Sequence, residues 1–402
     1  MTTFISALRN GAKLLERRDD DGFDRLSNRY SVGILIMMAV FISTKSYVGD
    51  PIDCYAPKEF TSQWIKYTDN YCWISNTYYV PLTQDLTPTI PPGGLTPGEK
   101  SIYAQELSYY QWVPIILTFC AALFAVPAQI WAWASNTGGY DVEAMVKATK
   151  GTSSLNPETR DKTVQYLVNQ MDRVLGYRRP LNGRRVGVGK NFGHFLFFAY
   201  LIVKVLYIAN AIGMIFLLEA MLGDGYSAYG TEQLKALQNP DYSGSVRFPY
   251  VTFCDFWVRR LGGNMQRYTV QCVLPVNLFN EKVFVVLWFW LVFLAAASVL
   301  GFVLWLFTAL NSVNRTFVRK YLTIMGRLQK DDYNQDDINE FMNGYLRLDG
   351  VFCMRLILKN TNDAIGGEIM AALWDQWLQT RKPRYEPTTD NLLPGRQADE
   401  AV

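Results

Sequence analysis

Histidine is almost missing from this chain: one residue, His194, in 402. No H-E-x-x-H zinc motif can therefore form, and no G-x-S-x-G nucleophile elbow is present either. Gly183 to Lys190 resembles a phosphate loop, but the spacing fails and Asn191 stands where Ser or Thr should meet magnesium. An enzyme is not expected, and neither a cofactor nor a metal. Charge is also scarce, at 19% of residues, against roughly 25% in soluble proteins. The net charge of +3 is too small to point to nucleic acid as a partner. The first 29 residues lack an apolar core followed by a small-residue cleavage site, so no cleavable leader is expected. Thr2 replaces the glycine that myristoylation needs, and no prenylation box is seen. No internal repeat is visible.

What the chain does have is long apolar stretches. A bilayer takes about 20 residues to cross, and four segments are long enough: 30–48, 109–133, 195–222 and 283–310. The second and fourth carry no charge. The first contains Lys45, and the third contains Lys204 and Glu219. A lysine facing lipid at mid-membrane costs about 2.5–3.5 kcal/mol on insertion scales. Lys45 and Glu219 lie near the outer ends and could snorkel. Lys204 is deeper, where it could snorkel inward or face a neighbouring subunit. Lys45 leads into Asp50 and Asp53, so this segment could ring a pore with charge.

Lysine and arginine set the orientation. Residues 1–29 hold six, 134–193 ten and 311–402 twelve, 28 in all, whereas 49–108 and 223–282 hold three and six, nine in all. The positive-inside rule puts both termini and the middle loop in the cytoplasm. Two loops of about 60 residues then face outward. Each carries two cysteines at the same C-x17-C spacing, Cys54 with Cys72 and Cys254 with Cys272. Disulfides persist outside the cell, which agrees with the charge rule. Four cysteines allow three connectivities, and the spacing alone does not choose between them. Zinc is a poor alternative, because the spacing is wrong and His194 lies on the other side. The N-x-S/T sequon Asn314-Arg315-Thr316 falls in the inward tail, and the outward segments contain none.

The domain order expected is an N-terminal segment 1–29, a span 30–48, an outer loop 49–108, a span 109–133, an inner loop 134–194, a span 195–222, an outer loop 223–282, a span 283–310, a helical region 311–380 and a disordered tail 381–402. In the first segment Phe4, Leu8 and Leu15 recur at near-helical spacing, giving either a membrane-surface helix or one folded into a pore mouth. The first outer loop has an aromatic run from Trp64 to Tyr79, then an irregular Pro/Gly-rich stretch from Thr87 to Glu99. In the inner loop, Asn156 and Pro157 start a helix whose apolar stripe is Val164, Leu167, Met171, Val174 and Leu175. The basic run Arg178, Arg179, Arg184, Arg185 and Lys190 is either topological charge or a contact for anionic lipid. Further helices are expected over 336–346, 351–358 and 365–378.

The second span opens with Tyr109-Tyr110-Gln111-Trp112-Val113-Pro114. Tyr and Trp concentrate at membrane interfaces, so this reads as an aromatic anchor at the outer end of the span. Pro114 and Pro127 fall within the span and should bend it, as a fixed kink or as a hinge. All six positions of this hexapeptide match the signature of the innexins, the invertebrate gap-junction proteins, and the chain resembles that family over roughly residues 20–360. Val48-Gly49-Asp50-Pro51-Ile52-Asp53-Cys54, Arg247-Phe248-Pro249, Val251-Thr252-Phe253-Cys254-Asp255 and Gln271-Cys272-Val273-Leu274-Pro275 fit it too, in the expected order.

The resemblance implies an all-α membrane protein with four transmembrane helices, disulfide-stapled outer loops with short strands, and a helical cytoplasmic domain. It implies the antiparallel pairing Cys54 with Cys272 and Cys72 with Cys254, and it suggests a gating hinge at Pro114. It implies a ring of homo- or hetero-oligomeric subunits, eight in number. The pore would be lined by the first span and the N-terminus, with Thr2, Thr3, Phe4, Lys45, Asp50 and Asp53 as candidates. Two rings docked across apposed cells would pass ions and small metabolites. Membrane lipids are expected partners and nucleic acid is not. The alternatives are an undocked large-pore channel, as in the related pannexins, and a four-span adhesion or scaffold protein, which the inner loop of about 60 residues fits poorly.

Overall fold

The computed structural model describes residues 19–80, 105–139, 141–151, 157–177, 193–223, 225–236, 238, 247–259, 262–328 and 335–381. Thr2, Thr3, Phe4, the Pro/Gly stretch 87–99, Asn156, the basic run 178–190 and the tail from 382 lie outside the described residues. The chain forms two compact units, Met1–Glu143 with His194–Leu310, and Ala144–Gly193 with Asn311–Val402.

In chain order the helices are α1 (Gly22–Tyr47), α2 (Ser62–Ile74), α3 (Val113–Thr137), α4 (Val142–Gly151), α5 (Pro157–Tyr177), α6 (Phe195–Leu222), α7 (Tyr229–Ala236), α8 (Pro275–Phe307), α9 (Asn311–Ile324), α10 (Gln335–Glu340), α11 (Arg347–Asn360) and α12 (Asp363–Thr380). The strands are β1 (Asp53–Tyr55), β2 (Thr77–Tyr79), β3 (Gln105–Leu107), β4 (Val251–Arg259) and β5 (Met265–Val273).

Four helices, α1, α3, α6 and α8, are long and apolar enough to cross a membrane. In the first unit they pack as a closed square, each against its sequence neighbours and α8 back against α1. The shared core includes Leu35, Ile42, Leu117, Phe124, Met214, Leu218, Phe284 and Leu291. α1 is longer than the apolar pattern suggests: it starts at Gly22, not at Tyr30, with Asp21 as its N-cap. The extra turns are polar, so hydropathy misses them. A π-turn over Leu26–Tyr30 widens the helix there. The inward row is then Asp24, Ser27, Asn28 and Ser31, followed by Leu35, Ala39 and Ile42. Gly301 of α8 admits this end closely: a Cβ there would come within 2.9 Å of the Phe23 ring.

α3 begins at Val113, not Tyr109, and α8 begins at Pro275, eight residues before the expected 283. Pro275 suits the first helical turn, where no intrahelical partner for its nitrogen is lost. The same holds for Pro114, which is in the first turn of α3 and breaks no helical hydrogen bond. The proline that sits inside the helix is Pro127.

The loops beyond α1 and α8's amino end build one antiparallel sheet in the order β1-β5-β4-β2-β3. It carries more order than the loop composition suggests. β4 and β5 run nine residues each, longer than the short strands expected, and the aromatic run of the first loop is divided between helix α2 and strand β2.

The second unit is all helical among the described residues. Its core joins α5, α9, α11 and α12 through buried Leu167, Met171, Val318, Leu322, Phe352, Leu356, Ile369 and Trp374. Arg160 of α5 grips Glu368 of α12 through both carboxylate oxygens, and Tyr345 donates to Asp172 at 2.7 Å. The expected helix over 336–346 is a short α-helix followed by a π-turn, Phe341–Leu346.

Candidate functional site

The sheet and α2 form a cap closed by two bridges, Cys54–Cys272 and Cys72–Cys254. Sheet register explains the first: Cys54 of β1 lies directly opposite Cys272 of β5. The second ties α2 to β4. Around them sits a small apolar cluster with Ile52, Phe60, Phe256, Val270 and Leu274. Phe60 and Trp64 meet the Tyr268 ring edge-on. The sulfurs of Cys54, Cys72 and Cys272 lie within 4.8 Å of one another, yet each is in a disulfide and offers no thiolate to a metal.

The β4–β5 hairpin projects beyond its flanking strands. β1 pairs β5 only over 271–273, and β2 pairs β4 at Phe253. From Asp255 to Arg259 and from Met265 to Val270 the two strands pair only with each other among the described residues. Arg267 donates to Asp255 at 2.6 Å, and so does Thr269, which pins the hairpin's middle.

The hexapeptide joins this cap to the bundle. Only Trp112 is exposed in the way an interfacial anchor should be, at 58%. Tyr110 is fully buried, 4.9 Å from the Trp73 ring. Its hydroxyl donates to the Trp73 carbonyl at 3.3 Å, and Gln111 donates to the same carbonyl. The Tyr109 hydroxyl donates to the Arg247 carbonyl at 2.7 Å. Three of the six residues thus satisfy backbone acceptors from both loops, a role that an anchor reading does not contain. Pro114 faces an open groove with Ser43, Tyr47 and Thr118, so any hinge there lies at the cap junction and not within the span.

At the carboxyl end of α1, Lys45 is half-buried and folds over Gly49; a Cβ on Gly49 would lie 3.2 Å from its Nζ. Asp50 and Asp53 are exposed. Sequence reasoning missed a third acid beside them, Asp69 of α2. Its Oδ1 accepts from the Cys54 N–H at 3.0 Å. Burial pushes the Asp69 carboxyl up, the Cys54 N–H opposes this, and the charges of Asp53 and Asp50 add to the rise. Below this end, Gly33, Met37, Val40, Thr44 and Tyr47 form an uncovered row on α1 at helical spacing.

At the amino end of α1 all four long helices meet in a buried ionic knot. Lys204 of α6 is 2% exposed and is not snorkelling: its Nζ lies 2.7 Å from Asp24 and 3.6 Å from Asp21. Tyr200 of α6 donates to Asp24 as well. Trp131 of α3 donates to Asp19 at 3.0 Å and Trp305 of α8 to Asp21 at 2.8 Å. Arg25 and Arg29 bracket Asp20 at 3.1 and 3.3 Å. Trp131, Tyr200 and Trp305 stack edge-on at 4.9 and 5.0 Å, walling the charges from lipid. The signal for it was in the sequence: four aspartates packed into six residues ahead of the first apolar run, and a single lysine deep in the third. Glu219 also has a local role, accepting from the Gly225 N–H at 3.0 Å.

Comparison with known proteins covers both ends of this arrangement. The innexin family model matches residues 20–377. The chain is 35% identical to innexin unc-9 of Caenorhabditis elegans over 374 residues, covering 90% of this chain and 94% of that protein. It is 33% identical to innexin-11 of the same species, over 94% of this chain and 84% of the relative. Innexin-19 of Caenorhabditis briggsae is 29% identical over 96% and 91%. The match takes in Asp20, Asp21 and Asp24 of the knot, the bridged cap and the helical second unit, and the chain belongs to the innexin family.

Proposed function

We infer that the protein is a gap-junction channel subunit. The observation that carries this reading is the family match across residues 20–377, which spans the four apolar helices and the bridged cap together. The subunits assemble as a ring, with eight as the expected number, and two rings dock cap to cap. Both termini and the second unit lie in the cytoplasm; the Lys/Arg bias and the oxidised cysteines of the cap support that orientation. A cap braced by two bridges loses little freedom on docking. The projecting tip of the β4–β5 hairpin, with Met265 exposed, is its most prominent docking element. The uncovered row of α1 and the N-terminal residues Thr2, Thr3 and Phe4 line the pore, with Asp50 and Asp53 at its outer mouth.

Recording from paired cells tests this. Expression in both of two apposed cells should create a junctional conductance; a conductance found only in the unpaired membrane would favour an undocked channel. The mass of the detergent-solubilised complex tests the ring number. Asp50→Asn with Asp53→Asn should lower the preference for cations over anions severalfold if these acids ring the mouth.

A further inference from the structure

Helix α9 begins at Asn311, four residues after α8 ends at Phe307. Hydrogen bonds from the Thr308, Ala309 and Leu310 N–H groups close the turn between them. The helix contains Arg315, Arg319 and Lys320 and no acidic residue. Its inward row, Asn314, Val318, Tyr321 and Leu322, is buried. Arg355 locks that row in place: it donates to Asn314 Oδ1 at 3.2 Å and to the Val313 carbonyl at 3.0 Å, and lies 4.1 Å over the Phe317 ring. Burial lowers the Arg355 pKa to about 10, which leaves it a cation at neutral pH. Asn314, held this way, is also closed to glycosylation.

With the inward row fixed, the opposite face is fixed too. Ser312, Thr316, Arg319, Lys320 and Thr323 are exposed, Ile324 is 62% exposed, and Arg315 sits half-buried at the edge. Elsewhere in this unit arginines find carboxylates: Arg160 with Glu368, Arg327 with Asp375, Arg381 with Asp337 and Glu340. Among the described residues, Arg315, Arg319 and Lys320 have no such partner, and Arg315 Nε is buried without a hydrogen bond. A solvated basic face is the ordinary explanation for exposed cations. Two features of this one go further: among the described residues no acid pairs with it, and it follows directly on the end of a membrane-crossing helix. At 1.5 Å per residue even a straight continuation keeps Lys320 within about 20 Å of Phe307.

We propose that the outward face of α9 binds anionic phospholipid headgroups of the leaflet in which α8 ends. Cations immediately beyond a span attract the anionic lipids of the cytoplasmic leaflet, and an Arg guanidinium suits a phosphate group. This rests on the cytoplasmic placement of α8's carboxyl end. The site contains no residue of the basic run 178–190.

The test uses the full chain in neutral detergent, with phosphatidylserine, phosphatidylcholine or inorganic phosphate added, reading the thermal midpoint and the lipid retained in native mass spectrometry. Phosphatidylserine should raise the midpoint, and added salt should shrink the rise. Arg319→Gln with Lys320→Gln should keep the lipid-free midpoint, since both side chains are exposed, and lose about half or more of the rise and of the retained phosphatidylserine. A full rise in the α9 variant, an equal rise with phosphatidylcholine, or its reproduction by phosphate alone would overturn the proposal. Paired-cell coupling is read separately: cells that fail to couple while lipid retention persists would sink the docked-channel reading and leave this one standing.

Discussion

The two ends of α1 are held by opposite chemistry. Beyond its carboxyl end the chain runs straight into Cys54 and a cap closed by two covalent bridges. At its amino end four aspartates are held by one buried lysine, two arginines, two indoles and a phenol. The bridged end lies on a polar, partly open cap, where an ion pair would be screened and contribute little. The ionic end is mostly buried, where charges attract strongly but each one costs desolvation unless every partner is in place. Covalent clamping tolerates water, and ionic clamping tolerates reductant. Each end uses the bond that its surroundings do not weaken.

Experiments can break either end and compare the damage. The largest effect is expected at the cap. Cys54→Ser with Cys272→Ser should abolish junctional coupling in paired cells and lower stability by about 2–5 kcal/mol; coupling that survives intact would sink the case for a braced docking rim. At the ionic end, Lys204→Met strands Asp24 and Asp21 and should cost about 3–5 kcal/mol, the measured cost of breaking a buried pair. Adding Asp24→Asn should recover much of that in a double-mutant cycle followed by thermal melting, and reductant should leave this end unchanged.

Much of the cap was legible in the sequence and almost none of the knot. Equal cysteine spacing and a shortage of Lys and Arg identify the cap as one unit. Spacing left three connectivities open, and only the register that sets Cys54 against Cys272 makes one of them natural. The knot was hidden because its members come from all four spans, so the aspartates of 19–24 and Lys204 carry no sign of one another in the sequence. Lys204 looked like a cost for the same reason: its partner lies 180 residues away. The hexapeptide was half legible. Aromatic residues at a membrane boundary read as an anchor, whereas Tyr109 and Tyr110 are turned inward to hold loop carbonyls.

Smaller perturbations sharpen the contrast. Trp305→Phe keeps the ring stack and removes one hydrogen bond to Asp21, so a loss of about 1.5–3 kcal/mol is expected. A loss near zero would mean that Lys204 alone satisfies Asp21. The smallest effect belongs to Asp69 in the cap. Its carboxyl is raised above the ordinary 3.8, so the folded cap holds that proton more tightly than the unfolded chain. Its contribution to stability is therefore present at acid pH and is lost as pH rises through the raised value. Asp69→Asn should flatten that slope in melts run from pH 4 upward; an unchanged slope would assign it to another group.

The partners in both clamps are far apart along the chain. Cys54 must wait 218 residues for Cys272, and Asp21 waits 284 residues for Trp305. At translation rates of about 5–20 residues per second, the aspartates at the start of α1 spend roughly 15–60 s without their last indole partner. α1 therefore enters the membrane as the least finished of the four spans and is completed only when α8 arrives. A chain truncated before α8 would leave Asp21 without its indole donor, while Trp131, Tyr200 and Lys204 still cover Asp19 and Asp24.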